Sequence, residues 1–159
     1  MPSLDSIDRK ILSILQIEGR LSNAALARRI GLTPPPTLER VKRLEREGVI
    51  RGYAARLDSP SLGLGLTVFA SVSLTMHQLG AVEEFEAAVR ALPEVLECHH
   101  TTGEADFLLK LKVADTGAYE QLLRGHLIRL PGVQRIQSSV VLSTAKDETP
   151  LPLSNGSEP

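Results

Sequence analysis

The first fifty positions carry apolar stripes at helical spacing, separated by short polar breaks. Ile7, Ile11, Leu12, Ile14 and Leu15 recur near a period of 3.6 behind Asp5, with Asp8 placed as its capping partner and Gly19 as a stop. A short helix is predicted over residues 23–30, capped by Ser22, with Leu26, Ala27 and Ile30 on one face and Gly31 supplying a positive-φ exit. Thr33 is placed to cap a third helix whose first turn holds Pro34, Pro35 and Pro36, where amide donors have no intrahelical acceptor anyway. Leu38, Val41 and Leu44 are expected to form its buried stripe, with Glu39, Arg40, Arg43 and Arg46 on the opposite arc and Gly48 at its end. Val49 to Leu57 then has β character, and Ser59-Pro60-Ser61 with Gly63 and Gly65 marks a boundary.

Beyond that boundary the period changes. Val68, Ala70, Val72, Leu74 and Met76 alternate with Thr67, Phe69, Ser71, Ser73 and Thr75, the signature of a strand. Val82, Phe85, Val89 and Leu92 return to helical spacing. A hairpin follows, from Glu94 to Thr101 and from Ala105 to Val113 around Thr102-Gly103-Glu104. Tyr119, Leu122, Leu123, Leu127 and Leu130 predict another helix, and Val133 to Ser143 a last strand. This order, strand-helix-strand twice over, is the split βαβ pattern of a ferredoxin-like sandwich. An internal echo supports it: Leu92-Pro93-Glu94-Val95 repeats as Leu130-Pro131-Gly132-Val133. Helices on one sheet face leave the other, with Leu108 and Ile136 among its residues, open to a partner. Past Thr144 the chain turns to Pro, Ser, Asn, Gly and Glu, and residues 154–159 are expected to be disordered.

Composition narrows the functional classes. Of 159 residues, 42% are hydrophobic and 23% charged, the balance of a soluble globular protein. With no Trp, two Tyr and three Phe, the aromatic platforms that stack single-stranded bases are disfavoured. A lone Cys98 forms no intramolecular disulfide, and no signal-like segment is seen, so a reducing cytoplasm is expected. Residues 59–82 lack formal charge, but Pro60, Gly63, Gly65 and the alternation argue for linker and strand rather than a membrane span. Net charge is −1, yet residues 1–58 hold 11 Lys and Arg against 7 Asp and Glu, and residues 59–159 hold 7 against 12. The two parts are expected to meet different partners.

Two helices joined by Gly31-Leu32-Thr33, the second basic outside, suit the major groove of duplex DNA. Arg40 and Arg43 are candidates for bidentate contact with guanine and Glu39 for accepting from cytosine, while Arg28, Arg29, Lys42 and Arg46 suit phosphates. Thr33 and Thr37 complete the DNA-facing set. A basic helix alone is better read as a solvated face with Glu-Arg pairs; three correctly spaced helices with a glycine turn and net positive charge reverse that and favour DNA. Cys98, His99 and His100 raise a metal reading, but on a strand at most two share a face, and His77 and His126 would have to converge by chance. No metal or cofactor is expected. No phosphate-cradling loop, nucleophile motif or convergent carboxylate pair is found, Glu83 and Glu84 diverging on a helix, so an enzyme is not expected.

The run Asp5 to Leu15, Arg20-Leu21-Ser22, Leu26-Ala27, Gly31-Leu32-Thr33-Pro34, Pro36 and Leu38-Glu39-Arg40-Val41-Lys42-Arg43-Leu44-Glu45 closely resembles the Lrp/AsnC family of transcription regulators. The second part resembles that family's effector domain through Leu92-Pro93-Glu94-Val95, Gly103, Asp106-Phe107-Leu108-Leu109, Leu130-Pro131-Gly132-Val133 and Ser138-Ser139, so the likeness covers about residues 4–153. It implies an N-terminal all-α winged helix-turn-helix domain (1–50), a strand and linker (51–65), a C-terminal α+β ferredoxin-like (βαββαβ) effector and dimerisation domain (66–145) and a tail (146–159). It also implies homodimers packed sheet to sheet that assemble to octamers, a near-palindromic double-stranded DNA operator, and a small amino-acid effector bound at a contact between dimers. A zwitterion needs a carboxylate for its ammonium and donors for its carboxylate. Asp106 is the candidate for the first; the Gly103 amide and the Thr101, Thr102 and Ser138 hydroxyls are candidates for the second. From spacing alone, the stronger reading is Gly103 as a turn glycine and Asp106 as a solvated strand residue, and it is the resemblance that favours binding. Pro35, Thr37 and Ala105 depart from the family's usual residues. An architectural DNA binder without metabolite response and a small metabolite-binding enzyme are the other classes that this sequence accommodates.

Overall fold

The computed structural model describes residues 3–75, 80–147 and 149–153; Met76, His77 and the segment 154–159 lie outside the described residues. The chain divides into two compact units, one comprising residues up to Arg56 together with the tail from Lys146, the other Leu57–Ala145.

The first unit is built on three helices, α1 (Ser6–Leu15), α2 (Asn23–Ile30) and α3 (Pro34–Arg46). Asp5 and Asp8 form a reciprocal capping box at the head of α1: Asp8 N donates to Asp5 at 2.8 Å and Asp5 N to Asp8 at 3.2 Å. Ser22 caps α2, and Gly31 leaves it at φ 77°, a conformation that carries a steric cost for any side chain. Thr33 starts α3 but makes no side-chain cap bond. The reason is chemical: the amides that a cap would accept from belong to Pro35 and Pro36, which have none. Ile11, Leu26, Ile30 and Leu44 form the buried centre, with Val41 and Leu15 packed around it.

The buried stripe of α3 differs from the sequence reading. Thr37 is fully buried with Leu44, and Leu38 is 40% exposed. The inward positions are 37, 41 and 44, so Thr37 takes the place expected of Leu38 and the buried stripe turns by only about 30° from the expected phase. Burying Thr37 costs little, since its hydroxyl donates to the Thr33 carbonyl at 2.9 Å. Val49 to Leu57, expected to have β character, form no strand: residues 51–58 run without regular structure and pair with no strand among the described residues. A ladder needs a partner for its backbone groups, and a single chain offers none here.

The second unit is a four-stranded antiparallel sheet in the order β2-β3-β1-β4, from β1 (Leu66–Leu74), β2 (Val95–His100), β3 (Phe107–Val113) and β4 (Val133–Val140). Helices α4 (Ala81–Arg90) and α5 (Thr116–Gly125) contribute Phe85, Val89, Tyr119 and Leu122 to the core, against Val68, Ala70 and Val72 of β1 and Phe107, Leu109 and Leu111 of β3. The period-two pattern therefore selects the covered face correctly along both central strands. The last helix is shorter than its apolar spacing suggests: α5 ends at Gly125, and residues 127–129 form a 3-10 turn that seats Leu127 in the core.

Candidate DNA-facing helix and effector pocket

Position on α3 decides which cations are free for DNA. Arg40 and Arg43 lie on the flank that meets α1. Arg40 Nη1 donates to Asp5 at 2.7 Å and to Asp8 at 2.9 Å, and Arg43 Nη2 pairs with the other Asp8 oxygen. Asp8 is buried with its side chain 1% exposed, so two guanidiniums compensate one buried carboxylate and tie α3 to α1. The backbone amide of Asp8 and the Arg40 guanidinium hold the Asp5 carboxyl below its ordinary range, and Arg40 is in turn pushed up. One nitrogen of each guanidinium, Arg40 Nη1 and Arg43 Nη2, is thus engaged by carboxylates, while Arg43 Nε has no hydrogen-bond partner among the described residues, and a guanine contact through the engaged nitrogens would have to compete with these pairs. Thr37 is buried and likewise faces away from solvent. Of the eight expected DNA-facing residues, Thr37 is therefore buried and Arg40 and Arg43 are ion-paired with Asp5 and Asp8 in this structure.

The other five stay exposed: Arg28 on α2, Thr33 ahead of α3, and Glu39, Lys42 and Arg46 on it. Arg28, Lys42 and Arg46 enter no ion pair among the described residues, whereas Arg29 is paired with both oxygens of Glu18. Positions 35, 38, 39, 42 and 46 share the outer face at helical spacing. The turn between the two helices is held by Asn23, whose side-chain amide donates to the Pro34 carbonyl at 2.8 Å.

On the sheet's open face, a cleft of about 280 Å³ lies among Ser71 and Ser73 of β1, Thr101, Thr102, Glu104 and Ala105 of the β2–β3 turn, Leu108 of β3, and Arg135 and Gln137 of β4. Alternation explains the strand contributions: Ser71 stands opposite Leu108 and Gln137, and Ser73 opposite Arg135, immediately before a register shift in the β1–β4 ladder. The turn is closed on itself. Thr101 N donates to the Asp106 carbonyl at 2.8 Å, Thr101 Oγ1 to the Ala105 carbonyl at 3.1 Å, and Gly103 sits at φ 126°.

Of the five expected effector residues, Thr101 and Thr102 line this cleft and Gly103 lies in the turn that forms it. Asp106 is not among its walls. Its carboxylate accepts from Leu74 N at 2.7 Å, and its own amide donates to the Val72 carbonyl, so it fastens the turn to the end of β1. Ser138 stands opposite Ala70 on the helix-covered face and shares a hydrogen bond with Tyr119 Oη, so its hydroxyl faces away from the cleft. Ile136, paired with Val72, also belongs to the covered face, while Leu108 remains on the open one. Glu104, Arg135 and Gln137 were not singled out by the sequence; the available signal was the alternation through positions 135 and 137 beside that of 71 and 73. Among the described residues, no group of three or more His, Cys, Asp or Glu is placed to hold a metal ion, and no helix is long and apolar enough to cross a membrane.

A helix-turn-helix head with free cations along one helix, in the same chain as an α+β domain with a charged cleft, defines the class of effector-responsive DNA-binding regulators. Family models agree on both units: residues 4–51 match winged helix-turn-helix DNA-binding, and residues 67–151 match the Lrp/AsnC ligand binding domain. The chain belongs to the Lrp/AsnC family of transcriptional regulators. It is 47% identical over 148 residues to the leucine-responsive regulatory protein of Salmonella typhimurium, covering 93% of this chain and 90% of that protein. The leucine-responsive regulatory protein of Escherichia coli K12 is 46% identical over the same length. The fold is similar to that of a transcriptional regulator of Neisseria meningitidis solved in complex with L-methionine, at a TM-score of 0.92 and 45% identity, covering 96% of this chain and 98% of that one. An AsnC family regulator of Agrobacterium tumefaciens gives a TM-score of 0.89 at 33% identity, covering 94% of this chain and 97% of that one.

Proposed function

We propose that the effector is a small amino acid with an apolar side chain, held on the open face of the sheet, and that its binding changes the affinity of the helix-turn-helix unit for a near-palindromic DNA site. The observation that carries this reading is the cleft that holds Glu104 and Arg135 together with Leu108. A zwitterion needs one charge of each sign, and an apolar side chain needs a wall without polar atoms. Glu104 takes the ammonium and Arg135 the carboxylate; the Thr102 hydroxyl can donate to the carboxylate, while Thr101, whose proton goes to the Ala105 carbonyl, can only accept from the ammonium. At about 280 Å³ the space falls just below the range for drug-sized ligands, roughly 300–1,000 Å³, which suits a single amino acid. The names of the similar proteins point the same way, toward leucine and methionine.

In this reading the protein acts in the cytoplasm as a regulator and not as an enzyme. It pairs through the open sheet face, where Phe69 is 36% exposed beside the Glu97–Lys110 ion pair, and the dimers assemble to an octamer. Two recognition helices then engage two half-sites, giving the contact area that one helix lacks. Calorimetric titration of the twenty amino acids tests the effector assignment. Saturable heat is expected from apolar members of the set, lost in Glu104→Ala and in Arg135→Ala. Heat from none of them, or equal heat in both variants, would refute the site.

A further inference from the structure

We infer that Leu38, with Pro35 beside it, reads thymine methyl groups in the major groove, so that part of the operator's sequence is recognised through apolar contact. The inference rests on the DNA-binding role and deepens it.

The sequence suggests arginine forks on guanine, but the geometry sets Arg40 and Arg43 in ion pairs with Asp5 and Asp8 on the flank of α3, so a guanine contact would compete with those carboxylates. The front of the helix is left with a different chemistry. Its first turn, the part that meets base edges in this motif, is Pro34-Pro35-Pro36, all exposed, and Leu38 follows at 40% exposure while Thr37 takes the buried position. Pro35 and Leu38 share the outer face with Glu39, Lys42 and Arg46, three and four residues apart. None of the three prolines has an amide to donate, and with Leu38 this stretch brings no polar side chain.

An apolar surface carried into the major groove meets one apolar group on the four unmodified base pairs, the C5 methyl of thymine. Bases elsewhere present donors and acceptors that Leu38 would desolvate without replacing. Cations further along the same face, Lys42 and Arg46, and Arg28 on α2, supply phosphate attraction without sequence preference, while Glu39 accepts from an exocyclic amine. The occupant of this apolar patch is therefore thymine rather than another protein chain, because it lies on the same helical face as the free cations.

Duplexes selected by the full-length protein from a random pool provide the test. Deoxyuridine replaces thymidine one position at a time in the selected site, which removes the methyl and leaves every hydrogen bond in place. Binding by the wild type is expected to weaken about fourfold at one or two positions per half-site, the equivalent of one buried methyl-sized group. In Leu38→Ala the thymine and uracil duplexes should bind alike at one of those positions, and Leu38→Met should keep part of the preference. Equal binding of thymine and uracil duplexes at every position by the wild type would overturn the inference. An unchanged preference in Leu38→Ala would overturn the assignment to Leu38, and if that variant binds neither duplex, Leu38→Met and the wild-type ratio decide. Failure of the wild type to select any duplex would instead refute sequence-specific DNA binding itself, a separate outcome.

Discussion

Asp8 is the residue on which the DNA-binding unit turns. It caps α1, it is buried, and it holds two arginines of the recognition helix. Asp8→Asn keeps shape but removes the charge that both guanidiniums compensate, and should destabilise the unit by about 2 kcal/mol in thermal unfolding. Arg43→Ala separates the two readings of that side chain: the ion pair predicts a lower melting temperature with the rank order of DNA sites unchanged, and a guanine contact predicts relaxed specificity at one position. Lys42→Ala should act otherwise, weakening all sites alike and reducing the salt slope of binding by about one, because it is free to neutralise a phosphate. Asp5 adds a pH dependence of known sign. Its folded-state pKa lies below 3.8, so the stabilisation it brings is complete above about pH 5 and is lost as pH falls through the folded value. In denaturant unfolding followed by circular dichroism, the wild type should therefore lose more stability than Asp5→Asn between about pH 5 and pH 2; equal losses would show that Asp5 contributes none of the pH dependence. None of the partnerships of Asp8 with α3 was visible in the sequence, since 32 and 35 residues separate the partners and no local pattern links them.

At the scale of elements, local chemistry fixed most of what the sequence could show. The Asp5–Asp8 box, the Ser22 cap and the Gly31 exit stand where capping residues predict them. Gly31→Ala should cost about 1 kcal/mol, since no atom crowds its missing Cβ and only the positive φ resists a side chain. The strand alternation likewise located the core of the sheet, because each central strand has one covered face. Two things stayed hidden for physical reasons. The rotation of α3 was ambiguous, as positions 38, 41, 44 and positions 37, 41, 44 both approximate a helical stripe, and a threonine that satisfies its own hydroxyl can replace a leucine inside. The face taken by each residue of β4 depends on its register with β1, which shifts between Ser73 and Leu74, so Ser138 and Ile136 fell on the wrong side in the sequence reading. The cleft was thus legible only through Thr101, Thr102 and Gly103 in the turn, and its charged walls emerged from the sheet.

For the whole molecule, the chain enters the DNA-binding unit from both directions. The Gln16 side chain exchanges two hydrogen bonds with the backbone of Leu151, donating to its carbonyl at 3.1 Å and accepting from its amide at 2.7 Å. This pins the returning tail to the end of α1. Gln16→Ala should speed hydrogen exchange at the Leu151 amide while changing stability by no more than about 1 kcal/mol, the scale of exposed neutral hydrogen bonds.

The central claim is linkage between the cleft and the DNA-facing helix, and linkage is a difference of affinities between states. Fluorescence anisotropy on a selected operator, with and without a saturating apolar amino acid, measures it directly in the wild type and in Arg135→Ala. The account predicts a shift in Kd of about 5- to 150-fold in the wild type, abolished in the variant, with both proteins binding equally when no amino acid is present. An effector shift that survives in Arg135→Ala, or no shift in the wild type with any apolar amino acid, would contradict it.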